Sequence, residues 1–67
     1  MIFRKTLDRL LNLATDVAAI NGSTIGMYFI GNQWRVVTRD ERLSMIKGRD
    51  TLEEALWSFI RRETRSW

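Results

Sequence analysis

The chain has no cysteine, no histidine and no proline among its 67 residues. Each absence removes a class of function. Without cysteine no disulfide can form. With histidine missing as well, zinc loses its main ligands, so neither a structural nor a catalytic metal is expected. Histidine is also the commonest general base. Ser23, Ser44, Ser58 and Ser66 therefore have no imidazole to activate them as nucleophiles. The carboxylate pairs Asp40-Glu41 and Glu53-Glu54 are adjacent in sequence. Neighbouring side chains on a strand or helix point apart, so neither pair forms an acid–base dyad. Gly22, Gly26 and Gly31 bracket a strand-like run and do not have phosphate-loop spacing. We expect no catalytic residue, no cofactor and no enzyme activity.

Long apolar runs are absent too. The N-terminal stretch is broken by Asp8, Arg9, Asn12 and Asp16. A secretory signal needs an uninterrupted apolar run of roughly 7–15 residues. A membrane span needs about 20. The expectation is a cytoplasmic protein with no membrane contact.

What is present suits one domain over residues 1–67. A chain of this size buries only about 60% of its unfolded surface, so an efficient core or a partner subunit must supply stability. Apolar residues make up 45% of the chain and include three tryptophans, enough for a core. The net charge is +3, and arginine outnumbers lysine nine to two. Arginine suits bidentate recognition of carboxylates and phosphates. A GC-rich genome would give the same bias.

Phe3, Leu7, Leu10, Ala14 and Val17 recur at helical spacing, with Leu11 and Ala18 widening the stripe. Arg4, Lys5, Asp8, Arg9, Asn12, Thr15 and Asp16 fill the opposite face. Asn21-Gly22 predicts the end of this helix, since both residues accept the left-handed cap conformation. Two strand-like runs follow, Ile25–Ile30 and Gln33–Thr38, joined by the tight-turn pair Gly31-Asn32. That turn pairs Ile30 with Gln33, Phe29 with Trp34, Tyr28 with Arg35 and Met27 with Val36. One face then carries Ile25, Met27, Phe29, Trp34 and Val36 toward a core. A third strand is expected over Leu43–Lys47, after a polar turn at 39–42. Asp50-Thr51-Leu52-Glu53 reads as a capping box, with Asp50 as cap and Glu53 reaching back. Leu52, Ala55, Leu56, Phe59 and Ile60 then form a buried stripe on a last helix. The predicted fold is α+β in the order αβββα, a helix, a three-stranded antiparallel sheet and a helix. Both helices lie on one face of that sheet and leave the other open.

The candidate site is that open face. Residues 23–49 hold five cations against two acids, more net positive charge than either flank. Tyr28 faces Arg35 across the hairpin, with Val37, Arg39, Arg42 and Ile46 placed on the same side. Trp57, one step off the buried stripe of the last helix, is a further candidate contact. An aromatic among arginines can stack on bases or clamp phosphates. Tyrosine and arginine are equally common anchors in protein interfaces. Val37 and Ile46 among the cations favour protein contact. A solvated sheet face with a single cation–π pair would explain the same residues.

The helix–three strands–helix order resembles that of double-stranded RNA-binding domains, in topology only. The basic start of their last helix is replaced here by Asp50-Thr51-Leu52-Glu53-Glu54. Trp34-Arg35-Val36-Val37 followed by Gly48-Arg49-Asp50-Thr51-Leu52-Glu53-Glu54-Ala55-Leu56 is similar to a pattern in small phage and prophage accessory proteins, among them anti-CRISPR proteins. That resemblance implies an inhibitor or adaptor acting on a host protein complex. Three expectations follow: a non-enzymatic protein-binding module, a nucleic-acid-binding module, and a homodimeric assembly subunit.

Overall fold

A computed structural model describes residues 2–67, with side chains from Thr6 onward. The elements are α1 (Ile2–Ile20), β1 (Ile25–Ile30), β2 (Gln33–Thr38), a 3-10 turn (Leu43–Met45) and α2 (Leu52–Thr64). The side chains of Phe3, Arg4 and Lys5 lie outside the described residues, so their places on the two faces of α1 stay as read from sequence.

α1 follows the apolar period. Leu10, Ala14, Val17 and Ala18 are buried, with Leu7 and Leu11 packed at the margin. Gly22 at φ +74° ends the helix. The amide of Ser23 donates to Ala18 O and that of Gly22 to Ala19 O, so orphan carbonyls of the last turn are satisfied. The hairpin has the register expected from its turn, from Ile30 opposite Gln33 through Met27 opposite Val36. Gly31 and Asn32 both have positive φ, as a tight hairpin turn of matching twist requires.

The third strand is not there. The sheet has two strands, and Leu43–Met45 is a 3-10 turn, so the order is helix, hairpin, helix. The reason lies on the outer edge of β2, where a third strand would dock. The amide of Thr38 donates to Glu41 Oε1 at 2.9 Å, and the amide of Glu41 donates back to Thr38 O at 3.2 Å. The Arg62 guanidinium donates to Val36 O at 2.6 Å. Only Trp34 is left to pair with chain, and it exchanges both backbone bonds with Arg49 in a single bridge. Side chains of Glu41 and Arg62 thus take the groups that a strand at 43–47 would need.

The helices run parallel. Leu7 and Leu52, near their starts, line one shallow concavity. Asn21, just past the end of α1, donates to Glu63 O at 2.9 Å. Trp67 closes the same end, its indole N–H donating to Asn21 Oδ1 at 2.9 Å. Ala55, Leu56, Phe59 and Ile60 of α2 join the α1 stripe and Val36 in one core. α2 packs over β2, while α1 packs mainly against α2 and touches β1 at few points. Met27 and Phe29, expected in the core, are therefore exposed, while Ile25 and Trp34 are partly buried and Val36 is fully buried.

The cap of α2 also sits one residue later than expected. Thr51, not Asp50, is the cap, its Oγ1 accepting from Glu54 N at 3.1 Å. The Thr51 hydroxyl donates to Glu54 Oε1 at 3.0 Å, so Glu54 takes the role assigned to Glu53.

Candidate functional site

The open face of the hairpin is partly closed. Arg35 lies opposite Tyr28 as expected, but its Nε donates to Ile46 O at 3.0 Å and the residue is half-buried. The segment after β2 therefore crosses the face that a three-stranded sheet would have left bare. Val37, expected at the interface, is buried at 4% exposure and cannot meet a partner. Tyr28 remains exposed, with its ring lying over Gly26. Tyr28, Val37, Arg39, Glu41 and Leu43 line a concavity of about 420 Å³. Its charge is mixed, because Glu41 faces the same space as Arg39. Arg42 is exposed and precedes the 3-10 turn without lining this space. Ile46 is half-buried on a different concavity.

That second concavity, of about 270 Å³, is lined by Lys47, Arg49, Arg61, Arg62 and Arg65, with Ser58, Ile46 and Met45. Five cations meet there and no carboxylate lines it. The two elements that carry them are fixed independently. Lys47 and Arg49 flank Gly48, which is buried against the Gln33 side chain, and the Trp34–Arg49 bridge anchors this segment to β2. Ser58, Arg61 and Arg65 lie at spacings of three and four along α2, opposite its buried stripe. The end of α2 carries the negative pole of the helix dipole, which favours cations there.

The cations differ in what they already hold. Arg62 is committed: its Nε lies 3.2 Å from Glu41 Oε2, and a terminal nitrogen reaches both Glu41 Oε1 and Val36 O. Its guanidinium also sits 5.7 Å from the centroid of Phe59. The side chains of Lys47, Arg61 and Arg65 make no hydrogen bond or ion pair among the described residues. Arg49 stands apart. Its Nε is buried and finds no hydrogen-bond partner among the described residues. A buried charged donor left unsatisfied costs free energy.

Trp57 lines neither concavity. It is exposed on α2, one helical turn before Arg61 and next to Ser58. The structure thus divides the expected site. Tyr28, Arg35 and Arg39 remain around the hairpin, Ile46 lines the basic concavity, and Trp57 is exposed on α2 one turn before Arg61. Lys47, Arg49, Arg61 and Arg65 were not singled out from sequence. The period of Trp57, Ser58, Arg61 and Arg65 was readable, but a dipole match explained the arginines equally well. The docking of Lys47 and Arg49 beside them depends on the Trp34–Arg49 bridge, which no local pattern announces.

Among the described residues no helix is long and apolar enough to cross a membrane, and no three acidic or other metal-binding side chains gather. No protein-family model matches the chain, and neither a curated protein nor a solved structure matches it.

Proposed function

We propose that the chain is a non-catalytic module that binds the phosphate backbone of nucleic acid through Lys47, Arg49, Arg61 and Arg65. The observation that carries this reading is the convergence of unpartnered cations on one carboxylate-free concavity, with the buried Nε of Arg49 unsatisfied among the described residues. Guanidinium forks match phosphate oxygens in pairs. Exposed Trp57 alongside supplies a flat surface for stacking an unpaired base. Phosphate contacts of this kind position a polyanion without reading its sequence.

Fluorescence anisotropy with labelled single strands and duplexes tests the proposal. Four phosphate contacts on duplex DNA give a slope of about −3.6 in log K against log salt. Reversing charge in the pair Arg61→Glu and Arg65→Glu removes binding, whereas Arg39→Glu on the hairpin side leaves it near wild type. Absence of binding to every nucleic acid at low salt would end the proposal. Unchanged affinity in the double variant would end the site assignment.

A second reading keeps the chain as a protein-binding module, an inhibitor or adaptor of phage type acting on a host complex. It is favoured by the hairpin-side concavity, where exposed Tyr28 and Arg39 stand beside Leu43 and Glu41. Mixed apolar and charged lining of this kind is usual in protein interfaces. A partner captured from lysate by wild type and lost with Tyr28→Ala plus Arg39→Glu, but retained by the Arg61/Arg65 variant, would select this reading.

A further inference from the structure

We infer that the free edge of β1 pairs with β1 of a second copy, giving a two-fold dimer with a continuous four-stranded antiparallel sheet. The backbone pattern comes first. With a two-residue turn, Ile30–Gln33, Tyr28–Arg35 and Gly26–Val37 are the hydrogen-bonded pairs of the hairpin. The amides and carbonyls of Ile25, Met27 and Phe29 then point away from β2. The outer edge of β2 confirms this phase, because Trp34, the partner of Phe29, turns both its backbone groups outward to Arg49.

The two edges are treated differently by the rest of the chain. On β2 the outward groups of Trp34 and Thr38 and the carbonyl of Val36 meet Arg49, Glu41 and Arg62. On β1 the outward groups of Ile25, Met27 and Phe29 make no hydrogen bond among the described residues. Soluble proteins usually guard such an edge with lysine, proline or a bulge. None of these guards β1: no charge and no proline occurs from Thr24 to Asn32, and the pairing with β2 is regular. The strand is also apolar and bare, with Met27 40%, Tyr28 45%, Phe29 55% and Ile30 51% exposed.

Self-pairing fits this strand in one register best. A two-fold axis at Met27 sets Met27 against its own copy, Ile25 against Phe29 of the other strand, and Gly26 against Tyr28. All three outward residues of each copy are then used, for six backbone hydrogen bonds. Shifting by two residues in either direction takes at least one of these residues out of pairing with the other strand. The register places Ile25, Met27 and Phe29 of both copies on one face, and sets the bulkiest residue of the other face against glycine. No like charges meet, although each copy carries +3 overall. The exposed parts of Met27, Tyr28, Phe29 and Ile30 amount to on the order of 400 Å² per copy. For the pair this is at most about 800 Å², the size of a weak, transient interface. The dimer is accordingly a reversible one, of micromolar strength.

Sedimentation equilibrium from 1 μM to 1 mM (about three decades around that strength) is the test. Wild type passes from monomer to dimer within this range. Met27→Lys brings two cations together at the axis and stays monomeric, with unchanged circular dichroism. Ile20→Lys, at an apolar residue exposed on α1, dimerises as wild type does. Because the chain has no cysteine, Met27→Cys carries the only thiol, and its oxidation yields a covalent dimer faster than that of Ile20→Cys. A wild type that remains monomeric at 1 mM overturns the inference, as does a Met27→Lys variant that dimerises normally. Equal oxidation rates for the two cysteine variants overturn the register. Binding of a short oligonucleotide by Met27→Lys reads the basic site separately, so failure of one proposal is not failure of the other.

Discussion

Arg62 shows how much one side chain decides here. Its guanidinium joins α2 to Glu41 and to the carbonyl of Val36. Arg62→Ala leaves that carbonyl without its donor and Glu41 with the Thr38 amide alone, at a cost of about 2 kcal/mol in urea unfolding. Arg62→Lys recovers only part of this, because one ammonium does not reproduce the planar fork that spans both acceptors. Gly48 is a second such point. A β-carbon there would stand 2.8 Å from Gln33 Cβ in a buried position. Gly48→Ala therefore destabilises by about 1–3 kcal/mol, read from the same unfolding curves. The substitution also shifts Lys47 and Arg49, so oligonucleotide affinity falls with it. Neither residue announces its role in sequence. Arg62 reads as a dipole match on α2, and Gly48 as a break before the helix. Their importance comes from groups that lie 21 and 15 positions away, Glu41 and Gln33.

At the scale of elements, what was legible was what is local. The hairpin register followed from Gly31-Asn32 alone, since two positive-φ residues fix the turn and the turn fixes every pair after it. The stripes of α1 and α2 followed from helical period. The cap of α2 was placed one residue early because Asp50 and Thr51 both suit that position. Thr51 takes it, with Glu54 closing the pair. Thr51→Ala thus costs about 1 kcal/mol, whereas Asp50→Ala leaves the unfolding midpoint nearly unchanged. Equal losses in the two variants would contradict the cap assignment. The third strand failed for a non-local reason: Leu43–Lys47 alternates acceptably, but the edge it needed was filled by Glu41 and Arg62. The open face failed with it. Once 43–46 is no strand, it can fold across the hairpin to Arg35, and Val37 is buried.

For the molecule as a whole, the misplaced third strand changes where function can sit. A sheet closed by a third strand on β2 would still have left β1 at an edge, but the helices would have covered a wider face. With two strands, α2 over β2 and α1 touching β1 at few points, the apolar side of β1 is left bare and the cations gather beyond the opposite edge. The two surfaces respond to salt in opposite ways. Phosphate binding releases counterions, so raising salt from 50 to 200 mM weakens four-contact binding about 150-fold. Strand pairing brings together two copies of equal sign through an uncharged seam, so the same salt leaves dimerisation intact or strengthens it by screening. Thermal stability then reports the dimer by mass action. A chain of this size has a small core, and a partner that binds only the folded form raises its melting point with concentration. Raising wild type from 10 μM to 1 mM lifts the melting temperature by about 10 °C, since a 100-fold increase is worth about 1.4 kcal/mol per subunit. Met27→Lys melts at one temperature throughout, below wild type at high concentration and equal to it at low. A wild-type melting point that ignores concentration would mean that β1 stays unpaired in solution, and the basic concavity would then act from a monomer.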